Sequence, residues 1–405
     1  MTITDKDLKP IRGGSALCYK IIDGKSRAFP DKMKIEINET LTDDVDIFVI
    51  NSGAQGITIE NSDIEIVYKG GHTMSTITFL YNEAKYVTLR NCRLSFRSES
   101  QVNFNGVKNF GGVDTHLETP ADALDIKGCR FDIRVCPSEY PYANKVCGII
   151  NTLANSVVMS DNYIYVQVSG SGPEQIAYGV INSGRFARIE NNNIKANGSH
   201  NKGRKTEAAH TCGVYNTGLY MLFHGNNCVG EWGGKCVGLY CDAELCSITG
   251  NKILSTHTIC GRSVIIGGQK NILTSNIITS TSRNAHIVEI KASRNIVTNN
   301  FIHCLITAIS GCGIFMEGQI GRPVAECIIK DNQITEVKDY GIAMLYTKSN
   351  HVSGNIIKPQ RVEGIFIPIF HLGRDFIEGD ASEPRRHGDF NVRDYEYSIT
   401  SLPDE

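Results

Sequence analysis

The sequence predicts an all-β fold, a parallel β-helix of about eleven coils with a column of asparagines and long loops on one face. Three observations lead to this prediction. A short motif ending in asparagine recurs along the chain, each copy contains three runs rich in Val, Ile, Thr and Leu, and no run of about ten residues has amphipathic helical spacing. Many coils must stack in such a fold, because a single coil cannot bury its inner face.

The recurring motif is clearest in "SITGNKI", "LTSNIIT" and "VTNNFIH", where Asn251, Asn276 and Asn300 lie 25 and 24 residues apart. The same asparagine recurs in other copies at Asn162, Asn192, Asn226, Asn332 and Asn355. Looser copies place Asn61, Asn91 and Gly128 at this position. Successive steps from Asn162 are 30, 34, 25, 25, 24, 32 and 23 residues, so insertions lengthen some coils beyond a minimum near 23.

Each copy divides into three short strands. Residues 237–257 contain "VGLYC", "CSIT" and "KILS", and the next copy contains "SVIIG", "NILT" and "IITS". Val, Ile and Thr favour strands, and Gly, Asn, Asp or Ser separates the runs as turn residues do. Three strands per ~24 residues, stacked ~4.8 Å apart, describe a parallel β-helix.

The asparagines have a structural explanation. Asn tolerates left-handed backbone angles at a sharp turn, and its amide can bond the amide of the next coil, which keeps buried polar groups paired. With these repeats, residues 35–370 resemble the right-handed, single-stranded parallel β-helix superfamily of the pectate-lyase type. The resemblance implies a right-handed helix and a homotrimer, but no single activity, because the superfamily hosts many.

The repeat divides the chain into an N-terminal cap over residues 1–34, a β-helix over 35–372 and a C-terminal tail or cap over 373–405. Caps are expected because an open end would expose unpaired strand edges. Insertions fall mostly between the third strand of one coil and the first of the next, at 97–122, 134–146, 197–211 and 305–326. Such loops would wall a groove, or they are plain surface elaborations.

Composition argues against several functional classes. The formal net charge of −2 and the lack of a basic stripe give nucleic-acid binding no support. The 14 cysteines lie in apolar runs without a CxxC pair or a zinc spacing, so we expect buried free thiols, a reducing compartment and no metal or organic cofactor. The chain start has no apolar signal segment, and no run approaches about 18 apolar residues. These features indicate a cytoplasmic protein or a virion component, with no membrane partner.

The candidate site comes from the register of the first strands, because the known motifs of polygalacturonases, alginate epimerases and pectate lyases do not occur. The predicted inward residues are Leu239, Cys241, Val264, Ile266, Val288 and Ile290. Their neighbours then point outward. One outward column contains Tyr215, Tyr240, Ile265 and Glu289, and the adjacent column contains Asp242, Gly267 and Lys291.

Asp242 and Glu289 are the predicted catalytic residues, with Glu244 in the next turn as a further candidate. Two coils separate the pair by roughly 10 Å, near the upper end for the acid and base of inverting glycoside hydrolysis. Lys291 would hold a carboxylate ionised or bind an acidic sugar, and Gly267 would leave room for a sugar ring. The other predicted substrate contacts are Tyr215, Tyr240, Glu317 and Tyr346. Alternatively, all of these are solvated residues of an outer face.

A second resemblance concerns the run "AELCSITGNKILSTHTICGRSVIIGGQKNILTSNII", which resembles the central coils of the inulin fructotransferase family. These β-helix enzymes release cyclic difructose anhydrides and use carboxylates in a groove between trimer subunits. The present sequence departs from the family in "GVYNTGLYMLFHGNN", which is about three residues short in the coil that would carry the acids. No catalytic residue is therefore carried over.

We expect a carbohydrate-active enzyme that cleaves or rearranges a glycosidic linkage, as a glycoside hydrolase or fructotransferase, by carboxylate acid/base catalysis. One alternative is a polysaccharide lyase or uronate epimerase, in which Lys291 or a Tyr removes a proton next to a uronate carboxyl group. The single groove lysine counts against it, because cations must neutralise that carboxylate. Another alternative is a non-catalytic, phage-tailspike-like trimer that binds glycans. The partner in every case is an oligo- or polysaccharide.

Overall fold

The computed structural model describes residues 2–3, 8–10, 17–22, 31–111, 121–137, 144–169, 175–198, 210–282, 284–305, 310–319, 321–360, 367–378, 390–391 and 396–397. Its regular elements in these ranges are all β-strands. Nothing in the described ranges forms a helix of the length and apolar character that crossing a membrane requires. Two compact units divide the chain, Met1–Met221 with Trp232–Gly234, and Leu222–Glu231 with Lys235–Glu405.

The first unit is built from twenty short strands. In chain order they are β1 (Thr2–Ile3), β2 (Lys9–Pro10), β3 (Leu17–Ile22), β4 (Lys32–Ile37), β5 (Val45–Ile50), β6 (Thr58–Glu60), β7 (Asp63–Tyr68), β8 (Thr76–Asn82), β9 (Thr88–Arg90), β10 (Arg93–Ser98), β11 (Asn103–Phe110), β12 (Asp125–Lys127), β13 (Arg130–Val135), β14 (Lys145–Thr152), β15 (Val158–Ser160), β16 (Tyr163–Val168), β17 (Ile176–Asn182), β18 (Arg188–Glu190), β19 (Asn193–Gly198) and β20 (His210–Asn216).

These strands form three parallel columns. The first column is β3, β5, β8, β11, β14, β17 and β20, the second is β6, β9, β12, β15 and β18, and the third is β1, β4, β7, β10, β13, β16 and β19. β2 pairs antiparallel with β3. Both β2 and β3 lie inside the predicted N-terminal cap.

The second unit continues the pattern with longer strands. They are β21 (Leu222–His224), β22 (Asn227–Cys241), β23 (Ser247–Thr249), β24 (Lys252–Ile266), β25 (Ile272–Thr274), β26 (Ile277–Ser280), β27 (Asn284–Ile290), β28 (Ile296–Thr298), β29 (Phe301–Cys304), β30 (Ser310–Glu317), β31 (Val324–Ala325), β32 (Ile328–Lys330), β33 (Gln333–Val337), β34 (Tyr340–Ser353), β35 (Ile356–Pro359), β36 (Ile367–Glu378), β37 (Phe390–Asn391) and β38 (Glu396–Tyr397).

Three columns recur in this unit, and some strands serve two of them. β24 begins in the third column, where it pairs with β26, and ends in the first column, where it pairs with β27. β34 pairs with β30 through its first half and with β32 through its second half. The short strands β37 and β38 pair antiparallel with β35 and β36.

Each unit has five complete three-strand coils within the described residues, and the strands β20, β21 and the start of β22 are divided between the units. The parallel β-helix of about eleven coils is thereby confirmed. The six residues predicted to point inward are all buried, with at most 1% of their surface exposed. Of the residues predicted to point outward, Ile265 and Glu289 are buried as well.

The predicted asparagine column forms in both units. In the second unit the side-chain Nδ2 of each Asn donates to Oδ1 of the next at 2.9–3.1 Å, through Asn226, Asn251, Asn276, Asn300, Asn332 and Asn355. In the first unit Asn162 donates in the same way to Asn192 at 2.9 Å. All of these side chains are buried, so the column is part of the core.

The prediction that these asparagines adopt left-handed angles is wrong, because the preceding residue makes the turn. Positive φ angles of 67°, 57° and 55° occur at Gly250, Ser275 and Asn299. The turn one residue earlier directs the ladder amide inward. Among the looser copies, Asn61, Asn91 and Gly128 are themselves the left-handed residues. The ladder position in those coils is taken by Ser62, Cys92 and Cys129. Their carbonyl groups accept from backbone N–H groups of the next coil, those of Arg93, Arg130 and Tyr163.

A second ladder was not anticipated. At the end of the first-column strands of the first unit, consecutive amides bond at 2.6–2.9 Å through Asn82, Asn109, Asn151, Asn182 and Asn216. The sequence signal is an Asn that ends each first strand, as in "GIIN" and "GVIN". Another buried pair, Asn271 and Asn295, links two turns of the second unit through a backbone N–H donated to Asn295.

The cysteines whose side chains the structure describes form no disulfide, as predicted, and all of them except Cys136 are buried. The insertions were placed less accurately. The ranges 134–146 and 197–211 do lie between a third and a first strand, but 97–122 contains β11 and 305–326 contains β30. Both strands were missed because their alternation is interrupted by Gly and Asn. Residues 112–120, 138–143, 199–209 and 306–309 lie outside the described residues.

Candidate functional site

First-column strands of the second unit position the candidate site. In β27, Ile287 and Val288 are both buried, so the outward residues His286 and Glu289 lie three positions apart. Across neighbouring strands, Val264 pairs with Val288, and Val288 pairs with Ile314. The same offset gives the neighbouring outward residues Arg262 and Ile265 in β24 and Cys312 and Phe315 in β30. Residues that are about 24 apart in sequence therefore form one surface.

Glu289 is the centre of this surface, and its side chain is only 2% exposed. Arg262 Nε contacts Glu289 Oε2 from the preceding strand, and Lys291 Nζ lies 3.2 Å from Oε1. The side chains of Arg262 and Lys291 keep 31% and 44% of their surface exposed. The alternative that Glu289 is a solvated residue of the outer face is wrong, because two long cationic side chains hold its carboxylate.

His286 stands beside this ion pair. It is half-buried, its ring centroid lies 4.1 Å from that of Phe315, and its Nδ1 is buried without a hydrogen-bond partner among the described residues. Burial lowers the pKa of His286, and the charges of Arg262 and Lys291 lower it further, while Glu289 partly opposes them. The neutral imidazole is therefore favoured.

Asp242 lies elsewhere on the same unit. It is exposed, and a side chain added at Gly267 would collide with its carboxylate. The expectation that Gly267 leaves room for a sugar ring is therefore wrong, since Asp242 fills that room. Asp242 directly follows β22 and Glu289 lies in β27, two strands further along the first column, which corresponds to roughly 10 Å along the coil axis. Glu244 is half-buried in the turn that follows Asp242.

The remaining predicted contacts are dispersed. Glu317 is exposed and follows Lys291 in its column, since Met316 pairs with Ile290. Tyr346 is 43% exposed and lies within β34, where it has a φ of 52° and follows Leu345, the partner of Glu317. Tyr240 is half-buried in the second unit.

Tyr215 belongs to the first unit, where its ring centroid lies 5.9 Å from that of Tyr178. Burial raises the pKa of Tyr178 to about 12.

Of the predicted residues, the structure thus brings Glu289 and Lys291 into contact, and it adds two that the sequence did not single out. Arg262 and His286 were missed because strict alternation assigns them to the inner face. Two consecutive residues of each first strand are buried, so the outward residues on either side of them are three positions apart instead of two. A signal was present, since "GRSVIIG" and "AHIVEI" each place a basic residue two positions before a Val.

The arrangement combines two partly exposed cations, a fixed carboxylate and a neutral imidazole with an unpartnered buried nitrogen. Arg262 has five N–H donors and Lys291 has three, so the contacts with Glu289 leave donors for a ligand. Both oxygens of Glu289 face cations, which suits this carboxylate to a positioning role. Within the described residues, no group of His, Cys, Asp and Glu side chains has a geometry that would hold a metal ion.

Comparisons with known proteins establish the architecture. No protein-family model matches the sequence, and no curated protein matches it. The Dettilon tailspike protein superposes with a TM-score of 0.52 at 13% identity, over 85% of this chain and 64% of the tailspike. The chain thus spans less than two thirds of the tailspike's length. This likeness supports a right-handed parallel β-helix, as predicted.

Two enzymes are more distant in structure. The A-module of the mannuronan C-5 epimerase AlgE6 from Azotobacter vinelandii has a TM-score of 0.40 at 12% identity, over 80% of this chain and 90% of its own. A mutant DFA-IIIase from Arthrobacter chlorophenolicus A6, in complex with DFA-III, has a TM-score of 0.30 at 11% identity, over 91% and 84%. At these identities the likeness concerns the fold alone.

Proposed function

We propose that the protein cleaves glycosidic linkages of an acidic polysaccharide, with the reacting sugar bound over Arg262, His286, Glu289 and Lys291. One observation carries the proposal: a half-buried imidazole lies beside two cations whose positions are fixed by one buried carboxylate. Elimination requires cations that neutralise the substrate carboxylate. Lys291 is one such cation, and Arg262 is the second.

The chemistry that fits these groups is elimination. A uronate carboxylate would bind the outward donors of Arg262 and Lys291, and their charge would stabilise the electron density that develops next to it. His286 would remove the proton on the carbon next to the carboxyl group. The electron pair of that C–H bond forms a C=C bond, the C–O bond to the leaving sugar breaks, and the released oxygen takes a proton from water.

Each protein group then has one role. His286 is the base, for which a neutral imidazole is required. Arg262 and Lys291 bind and neutralise the substrate carboxylate. Glu289 is a positioning residue, because its oxygens are engaged with both cations and hold them side by side. Uronate epimerisation begins with the same proton removal and leaves the linkage intact.

A second candidate is glycoside hydrolysis, which the exposed carboxylate of Asp242 favours. In that reaction Asp242 would donate a proton to the leaving oxygen and a second carboxylate would activate water. The separation of roughly 10 Å from Glu289 is near the upper end for such a pair. The contacts of Glu289 with two cations make it the base and Asp242 the acid.

The deciding experiment is incubation of the protein with a panel of uronate-containing and neutral polysaccharides. Reducing ends and ultraviolet absorbance are recorded together, because elimination creates both and hydrolysis creates only reducing ends. We expect both signals on a uronate polymer and a loss of about a hundredfold or more in the His286→Ala variant. His224→Ala, at an exposed histidine of the same unit, is the matched control and keeps full rate.

Three outcomes would contradict elimination. Reducing ends without absorbance, abolished by Asp242→Asn, would establish hydrolysis. Full activity of His286→Ala would remove the assigned base. Glycan binding without either signal would leave the non-catalytic, tailspike-like alternative.

A further inference from the structure

The outer face of the third column in the first unit carries an unusual set of side chains. β10, β13, β16 and β19 pair in parallel, and their inward residues are buried. Their outward residues include five cations and one carboxylate. These are Arg93, Arg97, Arg130, Arg134 and Lys195, with Asp132. These four strands therefore carry a local net charge of +4 in a chain whose formal net charge is −2, and the neighbouring β7 adds the exposed carboxylates Asp63 and Glu65 beside β10.

The arginines stand in two pairs across neighbouring strands. Arg93 is in register with Arg130, and Arg97 is in register with Arg134. Strands of one sheet are about 4.8 Å apart, so each pair presents two guanidinium groups at about that spacing. The two arginines of a pair are 37 residues apart in sequence, which is why the linear sequence shows no basic stripe.

Asp132 anchors one of these pairs. Asp132 is 7% exposed. Arg134 donates to both of its carboxylate oxygens, from Nε at 2.7 Å and from Nη2 at 3.2 Å. Arg97 Nη2 lies 3.9 Å from the same carboxylate. One carboxylate shared by two arginines leaves positive charge and N–H donors unused. The Arg97 side chain is 53% exposed and that of Arg134 is 40% exposed, so these donors reach solvent.

Tyrosine rings support the cations. The guanidinium carbon of Arg130 lies 4.7 Å from the ring centroid of Tyr163, and that of Arg134 lies 5.1 Å from the ring of Tyr165. Lys195 Nζ also lies over Tyr165, at 5.9 Å. Such contacts reduce the freedom of long cationic side chains and orient them along the face.

Two clefts open on this surface. One has a volume of about 670 Å³ and is lined by residues that include Lys69, Arg97, Arg134 and Gln167. The other has a volume of about 430 Å³ and includes Lys34, Arg93 and Arg97. Both volumes fall in the range of ligand sites, and Arg97 lines both clefts. Asp63 and Glu65 line the second cleft, so the cationic character is strongest around Arg97, Arg130 and Arg134.

We propose that this face is a binding site for an acidic, carboxylate-bearing polysaccharide chain, separate from the residues proposed for cleavage. Guanidinium groups bind carboxylates through two parallel hydrogen bonds. A row of arginines repeating at strand spacing would hold successive carboxylates of one polymer and keep a long substrate on the protein. Binding here does not require that the protein cleave anything.

Single-stranded nucleic acid is the competing ligand for a surface of Arg and Tyr, because bases stack on aromatic rings. The rings of Tyr163 and Tyr165 are in contact with cations of their own, which leaves guanidinium donors as the main feature of the surface. The geometry therefore favours carboxylates over bases.

The test is binding of polygalacturonate, neutral dextran and oligothymidine, measured by affinity electrophoresis in the His286→Ala background, so that any cleavage does not degrade the probe. We expect polygalacturonate to bind, dextran not to bind, and binding to weaken when salt is raised from about 50 to 300 mM. The double variant Arg93→Gln/Arg130→Gln should bind polygalacturonate about tenfold more weakly. A triple variant, Arg97→Gln/Arg134→Gln/Asp132→Asn, removes the other pair without leaving a buried carboxylate unpaired.

The matched control is Arg90→Gln/Lys127→Gln, which removes two exposed cations that are also in register on neighbouring strands, in the second column of the same unit. It should keep full binding. Equal losses in the control and the Arg93/Arg130 variant would reduce the effect to net charge and overturn the site. Unchanged binding in both test variants, or tighter binding of oligothymidine than of polygalacturonate, would overturn it as well. Loss of cleavage alone concerns the proposed function and not this site.

Discussion

A buried charge organises the candidate site of the second unit. Glu289 is almost fully buried, yet it keeps two cationic partners, Arg262 on the neighbouring strand and Lys291 directly after its own strand. Removing one partner of a buried ion pair is strongly destabilising because it leaves an uncompensated charge. Such a pair therefore fixes both cations in place, and this fixed field acts on the imidazole of His286.

The titration of His286 follows from this field. Burial, Arg262 and Lys291 lower its pKa below the ordinary value of 6.5. Because the folded state disfavours protonation, His286 contributes stability above the unfolded pKa, and this contribution is lost as the pH falls through the folded pKa. We expect its imidazole resonance, assigned by its absence in His286→Gln, to titrate with a midpoint below 6.5. Arg262→Gln should raise that midpoint.

The measurement is an NMR titration of histidine-labelled protein, which is independent of any enzymatic activity. A midpoint at or above 6.5 in the wild-type chain would show that the cations do not act on His286 as the structure indicates.

The element that holds a coil in register is the asparagine ladder. Asn276 donates to the carbonyl groups of Ile248 and Thr274 and to the side chain of Asn300, and it accepts from Asn251. Two of these partners are ladder asparagines, and the other two are carbonyl groups of β23 and β25. A ladder residue therefore satisfies polar groups of neighbouring coils as well as its own turn.

We expect Asn276→Ala to reduce the free energy of unfolding by about 3 kcal/mol, because buried donors and acceptors are left unpaired on both sides. The measurement is the urea midpoint of the chain. Ser275→Gly is the control at the adjacent residue, whose φ is 57°, and it should be neutral or slightly stabilising since Gly adopts this angle without strain. A loss below about 1 kcal/mol in Asn276→Ala would show that water replaces the missing amide.

The spacing of Asn251, Asn276 and Asn300 was sufficient to predict the ladder, because every coil must satisfy the same buried groups. It was insufficient to assign the left-handed residue, since Asn is compatible with both the turn and the inward position. The backbone φ angles distinguish the two, and they place the turn at Ser275 and Asn299.

At the scale of the whole molecule, regularity determines both what could be predicted and what could not. Each coil repeats the same three strands, so strand order, inward residues and approximate coil number followed from the period. Surfaces are different, because they combine residues from several coils. Neither the contact of Arg262 with Glu289 nor the pairing of Arg93 with Arg130 has a signal within one coil. The first contact depends on the two consecutive buried residues of the first strands, and the second on the register of the third-column strands.

Buried cysteines give both units a testable property, since their thiols are shielded from solvent. Cys147 in the first unit is fully buried, and burial raises the pKa of its thiol to about 12. Cys312 in the second unit is also buried, and burial raises the pKa of its thiol as well. Since the thiolate is the reactive form, neither should react with a thiol reagent in the native chain.

We therefore expect iodoacetamide to label Cys136, the one half-buried cysteine among those described, well before Cys147 and Cys312. Peptide mapping by mass spectrometry gives the extent of labelling at each position, and denaturation in urea should make the three rates similar. Reducing agent should leave the urea midpoint of each unit unchanged, because the described cysteines form no disulfide. Labelling of Cys147 at the rate of Cys136 in the native chain would contradict this expectation. It would mean that the first unit opens far more often than its buried ladders allow, because a buried thiol reacts only after the structure around it opens.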